Sequence, residues 1–252
     1  MEKLYDRVDI YDLIESEERF EILKNEWKDF LGDREVHSVL DVSIGSGGMT
    51  IPLLDLGMDV KGSDLSEAMV EKCKKKASLK GKKIDLKCSD FRDLSCWGNE
   101  KFDMVVSTGN SLGYVSNSDV LKTLEEMDKH VKKGGYICFD SRNWEKIQKE
   151  TQRFYFYNPF YNNGNRVNLM QVWDHNQDGS ITFNLLYSFE KDDKIFQREI
   201  FEEHYNPFPM EMAKKKIEEM GYNDIVVRPF PCGIKETDFE KIEWYRLIAK
   251  KC

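Results

Sequence analysis

The segment Val39-Leu40-Asp41-Val42-Ser43-Ile44-Gly45-Ser46-Gly47-Gly48-Met49-Thr50 concentrates residue types that can grip a ligand. An apolar run delivers Asp41 to its carboxyl end. The backbone then turns on Gly45 and Gly47, which permit unusual dihedrals and a close approach to the main chain. A diphosphate loop of spacing G-x-G-x-x-G sets its anion on a helix N-terminus, and the glycines here do not match that spacing. Asp41 argues against a phosphate too, because a carboxylate repels an anion, so its expected partner is an ammonium or a hydroxyl. Seventeen residues after Gly47, Asp64 closes the next apolar run. From that position an acid accepts from ribose hydroxyls. Asp90 follows a third run, placed to accept from an adenine amino group, with Phe91 beside it as an apolar wall. A tight turn alone would use the same glycines. Three acids at the ends of three consecutive strands indicate a ligand-binding edge instead.

Two further polar segments should emerge on that edge, Ser107-Thr108-Gly109-Asn110-Ser111-Leu112-Gly113 and Phe139-Asp140-Ser141-Arg142-Asn143-Trp144. The carbonyl oxygen of Asn110 is expected to accept from an amine. Arg142 offers a planar fork suited to a carboxylate. Taken singly, Asn110 reads equally as a turn residue before Gly113, and Arg142 as half of a surface ion pair. The histidines are His37, His130, His175 and His204, and none falls in these two segments.

The elements that must position these residues follow from periodicity. Asp12 to Leu31 reads as a helix with Phe20, Leu23, Trp27 and Phe30 on one face and Gly32 as its stop. Strands are expected at Val36 to Ile44, Val60 to Ser63, Ile84 to Cys88, Phe102 to Ser107 and Tyr136 to Asp140. Between them come a short helix to Leu56, a helix capped by Ser66 and ended by Gly81, and a helix through Val120, Leu124, Met127 and Val131 ended by Gly134. Strand and helix alternating at this cadence predict an α/β fold, a doubly wound, mostly parallel, Rossmann-like sheet with helices on both faces. After about residue 150 the period changes. Ile181, Phe183, Leu185, Tyr187 and Phe189 alternate with polar neighbours, as in a half-buried strand. With Val167 to Trp173 before and Ile195 to Tyr205 after, three antiparallel strands form an insertion. A helix from Pro209 to Met220 and strands near Ile225–Arg228 and Trp244–Ala249 return to the sheet. The expected organisation is therefore an α/β domain with an N-terminal helix over 1–150, an antiparallel β lid over 151–207, and sheet-completing elements over 208–252. The insertion is expected to cover the pocket, because a parallel sheet leaves its carboxyl edge open to water.

The 252 residues suit one α/β domain with a sizeable insertion, and 40% apolar content is enough for a packed core. A net charge of −8 disfavours a nucleic-acid substrate, since phosphate binding needs a field of Lys and Arg. Cys73, Cys88, Cys96, Cys138, Cys232 and Cys252 are scattered without a C-x-x-C pair, as reduced core cysteines are. The start, Met1-Glu2-Lys3-Leu4-Tyr5-Asp6, has no apolar signal region, and no stretch approaches a membrane span. These features predict a cytoplasmic location. No metal is expected, and oligomeric state is not readable.

The Asp41 to Gly48 loop, followed by Asp64 and Asp90, resembles the Asp-x-Gly-x-Gly-x-Gly motif and succeeding acidic motifs of the class I S-adenosylmethionine-dependent methyltransferases, over about residues 35–145. The resemblance implies S-adenosylmethionine as cofactor, leaving as S-adenosylhomocysteine. It puts the methionine part at Gly45 and Gly47, the ribose at Asp64 and the adenine at Asp90. Asp41, Ser43, Leu65, Met69, Phe91 and Thr108 join this cofactor set. Ser43 departs from the usual Gly or Ala and Ile44 from the frequent Cys. The Gly-Asn-Ser and Ser-Arg-Asn-Trp segments further resemble glycine N-methyltransferase and the glycine/sarcosine N-methyltransferases of betaine synthesis. That likeness implies Asn110 beside a substrate amine and Arg142 on its carboxylate, with Ser141 and Trp144 where His and Tyr are common. It also implies tyrosines and an arginine over the reaction centre, for which Tyr5, Tyr11 and Arg19, counted with the cofactor set, and Tyr205 are the counterparts. On their own terms those four read as core or surface residues. The expected reaction is in-line transfer of a methyl group to a neutral amine, with Asn110, Arg142 and Tyr205 as the reacting-centre residues. Alignment of the reactants supplies up to about 7–11 kcal/mol in ideal intramolecular systems. No protein nucleophile is needed, and no dedicated base if solvent removes the amine's proton first. Methylation of another small metabolite at oxygen or carbon, and cofactor binding without catalysis, are the alternatives.

Overall fold

The computed structural model describes residues 3–231 and 238–252; Cys232 lies outside them. An N-terminal arm of short turns, Leu4–Asp6, helix α1 (Val8–Tyr11) and Asp12–Ile14, leads into helix α2 (Glu17–Leu31). The break in the expected single helix comes at Ser16, whose extended backbone and side chain, accepting from the Arg19 N–H at 3.1 Å, start a new helix there.

Strands β1 (Ser38–Asp41), β2 (Asp59–Asp64), β3 (Asp85–Cys88), β4 (Phe102–Ser107) and β5 (Val131–Arg142) alternate with helices α3 (Pro52–Asp55), α4 (Glu67–Leu79) and α5 (Asn117–Asp128). Helix α6 (Trp144–Glu150) follows β5. Strands β6 (Phe154–Phe156), β7 (Phe160–Asn162), β8 (Asn165–His175), β9 (Ile181–Lys191) and β10 (Lys194–Tyr205) come next. Helix α7 (Met210–Glu219) and strands β11 (Tyr222–Pro229) and β12 (Trp244–Lys251) complete the chain. The main sheet has the order β11-β12-β5-β4-β1-β2-β3. β1 to β5 are parallel, while β12 runs antiparallel to β5 and to β11.

Side chains alternate across this sheet, and two cores result. Val39, Met104, Val106, Cys138 and Ile248 pack with Phe20, Trp27 and Phe30 of α2 and Cys73 and Ala77 of α4. Leu40, Val105, Ile137, Phe139 and Leu247 pack with Val120 and Leu124 of α5 and Ala213 and Ile217 of α7. Helices on both faces make this the doubly wound architecture that the alternation predicts. The second sheet, β10-β9-β8-β6 with β7 also on β8, is antiparallel throughout. Its inner row, including Val167, Trp173, Phe183, Leu185 and Phe201, joins the α5–α7 core.

Three further expectations are corrected. β1 stops at Asp41 rather than Ile44, because the Asp41 carboxylate captures the Ser43 N–H at 3.0 Å and turns the chain. Gly134 does not end a helix: α5 stops at Asp128, and Gly134 and Gly135 lie inside β5. A Cβ on Gly135 would sit 2.7 Å from the Asp103 carbonyl, so β5 needs glycine to approach its neighbour. The insertion has five strands and not three, since β6 and β7, three residues each, are too short to show a period.

Candidate active site

Asp41 is fully buried beneath the glycine turn. One oxygen takes the Ser43 N–H; the other takes the Thr50 hydroxyl and the Thr108 hydroxyl, the latter at 2.8 Å. Of the expected ammonium or hydroxyl partners, hydroxyls are found, supplied by the chain's own Thr50 and Thr108, and burial raises the Asp41 carboxyl to about 6. Ser43 serves the same frame. Its hydroxyl lies 2.9 Å from that of Ser107 and accepts from the Thr108 N–H at 3.0 Å, joining the carboxyl ends of β1 and β4. Thr108 is thus engaged on both sides of the loop. Gly47 has φ +83°, and a Cβ there would meet Cys73 Sγ and Ile51 Cδ1 at 2.6 Å.

Above the turn, Asp64 at the end of β2 accepts the Gly45 N–H at 2.8 Å with one oxygen and the Ser66 N–H at 2.9 Å with the other. Burial lifts its carboxyl from the ordinary range. A carboxylate has about four acceptor positions, so lone pairs remain for two ligand hydroxyls. Leu65 is exposed beside it, whereas Met69 is fully buried on α4. Asp90 departs from expectation. Arg92 donates to it through its backbone N–H, Nε and Nη2, the last at 2.6 Å, and holds its carboxyl below the ordinary range. Those bonds use the positions an adenine amino group would need. Phe91 remains, half-buried against the core.

The N-terminal arm folds over this loop. Asp12 accepts from the Ser46 hydroxyl at 2.6 Å and from Lys76 Nζ at 2.8 Å. The Tyr11 hydroxyl lies 3.9 Å from where a Gly45 Cβ would be, and a Cβ on Gly48 would touch the Glu15 carboxylate. Arg19, on α2, reaches Glu15 at 3.5 Å. Tyr5 donates to the Tyr114 hydroxyl at 2.8 Å, which lies 2.6 Å from the Tyr205 hydroxyl. The structure thus brings Tyr5 and Tyr205 onto Tyr114, a residue that no sequence pattern marks, with the Tyr11 ring 5.5 Å from that of Tyr5.

At the end of β5, Asp140 accepts from the Gly109 and Asn110 N–H groups at 3.2 and 3.0 Å, and from Trp244 Nε1 at 3.0 Å. This holds Asn110 in the left-handed region, φ 62°. The Asn110 carbonyl accepts from the Arg142 N–H at 3.0 Å and the Ser141 hydroxyl at 3.2 Å. Its expected role as an acceptor is corrected by these bonds, because both lone pairs are used. What remains is the amide Nδ2, a buried donor without a partner among the described residues. The Arg142 guanidinium lies over the rings of Trp173, Phe183 and Trp244 at 5.2, 5.4 and 4.9 Å. Among the described residues no carboxylate comes within ion-pair distance of it. The second sheet reaches this edge through Tyr205, whose ring packs 5.3 Å from Trp144 and 4.6 Å from Phe183. Among the described residues no group of His, Cys, Asp and Glu is placed to hold a metal ion.

Known proteins resemble this chain in sequence and fold. A family model described as a methyltransferase domain matches residues 39–135. The glycine/sarcosine N-methyltransferase of Aphanothece halophytica is 30% identical over 190 residues, covering 74% of this chain and 66% of its own length. The chain thus spans just under two thirds of that relative. The glycine/sarcosine N-methyltransferase of Parasynechococcus marenigrum is 26% identical over 224 residues, 88% of this chain and 74% of its own. An S-adenosylmethionine-dependent methyltransferase structure from Clostridium acetobutylicum superimposes with a TM-score of 0.75 at 17% identity, covering 98% of each chain, a likeness of fold.

Proposed function

We propose, on the premise that the chain belongs to the class I S-adenosylmethionine-dependent methyltransferases, that it methylates the nitrogen of a small amine bearing a carboxylate, glycine or sarcosine. The observation that carries this reading is Arg142, a guanidinium boxed by three rings with no acid beside it among the described residues. Half-buried and walled by rings, with no acid beside it among the described residues, the guanidinium is open to an anion, and a substrate carboxylate supplies one in the geometry of the fork. The unpartnered Asn110 Nδ2 is a second donor at the same edge. Two relatives named for glycine and sarcosine methylation support the choice.

The cofactor's fit rests on the chain's own groups. The main chain at Gly45 admits the methionine portion, with Gly47 packed on Cys73 and Ile51 to shape the turn beneath it, the open lone pairs of Asp64 accept ribose hydroxyls, and Phe91 walls the adenine. When bound, S-adenosylmethionine supplies an electrophilic methyl group on a sulfonium. Arg142 and Asn110 then fix the acceptor by its carboxylate end, so its nitrogen has one direction to face. Tyr205, Trp144 and Phe183 keep water out, which strengthens the polar contacts inside. The net charge of −8 argues for a small-molecule substrate rather than a nucleic acid. The free thiols of Cys73, Cys88, Cys96, Cys138 and Cys252 support a reducing, cytoplasmic setting. Among the described residues no helix is long and apolar enough to cross a membrane.

Product mass spectrometry with glycine, sarcosine, dimethylglycine and matched amines lacking a carboxylate tests the proposal. Methylation of the carboxylated amines is expected. Arg142→Lys should lower kcat/KM for them by about tenfold or more, because an ammonium cannot reproduce the fork. Cofactor affinity should be unchanged. Equal turnover of amines with and without a carboxylate, or an Arg142→Lys enzyme as active as wild type, rejects the assignment.

A further inference from the structure

The site holds one buried acid that the reading above leaves without a task. Glu203 lies two residues before Tyr205 on β10, so both side chains face the same way. It is 6% exposed, and its Oε1 has no hydrogen-bond partner among the described residues. Lys3, the Leu4 N–H and Tyr5 face it from the N-terminal arm and Tyr114 from the turn after β4. Tyr187 faces it from β9 and Tyr205 from its own strand, while His204 acts on it by charge from the opposite face, where it pairs with Glu202. Burial, the largest influence, raises its carboxyl, with Tyr114, Leu4 and Lys3 opposing. Burial also raises the Tyr114 and Tyr205 phenols, so these hydroxyls stay protonated.

The hydroxyls of Tyr205 and Tyr114 lie 2.6 Å apart. The Tyr205 ring packs 4.6 Å from the Phe183 ring, over which the Arg142 guanidinium also lies at 5.4 Å, and the Arg142 charge acts on the Tyr205 phenol. The hydroxyl pair therefore has the Arg142 charge acting on one member and the buried Glu203 carboxyl beside the other.

We propose that Glu203 takes up the substrate ammonium's proton through the hydroxyls of Tyr205 and Tyr114. This rests on the amine-methylation reading and supplies the proton acceptor that the sequence does not show. One N–H bond of the ammonium breaks, and its electron pair stays on nitrogen as the nucleophilic lone pair. The proton joins the Tyr205 oxygen as the Tyr205 proton moves to Tyr114 and the Tyr114 proton to Glu203. The carboxylate becomes a carboxylic acid and returns its proton to solvent after turnover. Glu203 acts through the tyrosines and is a positioning residue for the proton.

The test uses the full chain with S-adenosylmethionine and sarcosine. Glu203→Gln should lower kcat/KM by about a hundredfold near neutral pH. The deficit should shrink as pH rises toward the amine's own pKa, where solution supplies the neutral amine. Tyr114→Phe, which breaks the line but keeps the acid, should show the same pH-dependent loss, with cofactor affinity retained in both. A loss of equal size at every pH, or none, overturns the relay. A readout independent of turnover separates this from failure of the substrate reading. In carbon-13 carboxyl NMR of glutamate-labelled protein, the signal absent from Glu203→Gln should titrate above the ordinary 4.5 and move in Tyr114→Phe. If sarcosine is methylated but that signal ignores Tyr114→Phe, the relay is wrong. If the signal responds but no carboxylated amine is methylated, the hydroxyl line to Glu203 stands and the substrate assignment falls.

Discussion

Asp41 shows how a side chain that looks ready for a ligand is spent on the backbone around it. Its oxygens accept from Ser43, Thr50 and Thr108, and its burial raises its carboxyl to about 6 from 3.8. A carboxyl whose folded pKa is raised contributes stability that is fully present below about 3.8 and lost as pH climbs through about 6. Asp41→Asn keeps an acceptor for the Ser43 N–H and removes the titration. Its melting temperature should therefore change less than the wild type's between pH 4 and 7, and equal slopes would show that Asp41 is not the group responsible. Asp64 is different, with acceptor positions left over. Asp64→Ala should weaken S-adenosylmethionine binding by about tenfold or more, given roughly 1.5–3 kcal/mol for a charged hydrogen bond. Calorimetric titration showing unchanged affinity in a folded variant would remove it from the site. Both acids were legible as the ends of strands. Which way each carboxylate turns was not, because that depends on donors brought in from β4, from Thr50 and, for Asp90, from Arg92.

At the scale of elements, the N-terminal arm clasps the glycine loop through Asp12, whose partners Ser46 and Lys76 lie on the loop and on α4. Asp12→Ala should loosen that clasp without disturbing the sheet. Stopped-flow measurement should show faster cofactor dissociation with little change in melting temperature; an unchanged off-rate would make the clasp ornamental to binding. Beneath the arm the loop has no room to spare. Gly47→Ala puts a methyl group 2.6 Å from Cys73 Sγ and Ile51 Cδ1 at φ +83°. A destabilisation of about 1–3 kcal/mol is expected in chemical denaturation, and a neutral result would mean that Ile51 and Cys73 can move aside. The alternation of strands and helices was readable because each carries enough turns or alternations to reveal a period. The arm was not, since residues 4–14 form only short turns whose order comes from what they cover.

Across the whole molecule, the hydroxyl bonds of Tyr114 span 109 residues to Tyr5 and 91 residues to Tyr205. The arm, the parallel sheet and the second sheet must all be in place for that cluster to form. Elements held by few buried contacts open before the main core does. Such distant pairing leaves no trace in local sequence, which is why Tyr5 and Tyr205 read as core or surface residues until the fold assembled them. The rings around Arg142 have another use. Of the five tryptophans, Trp173 and Trp244 flank its guanidinium and Trp144 packs on Tyr205 beside it. Trp27 and Trp97 are buried elsewhere in the main core. An anion arriving at Arg142 changes the electric field felt by three indoles and leaves two as a constant background. Intrinsic fluorescence should therefore report an anion at Arg142, readable under conditions in which no methyl group moves.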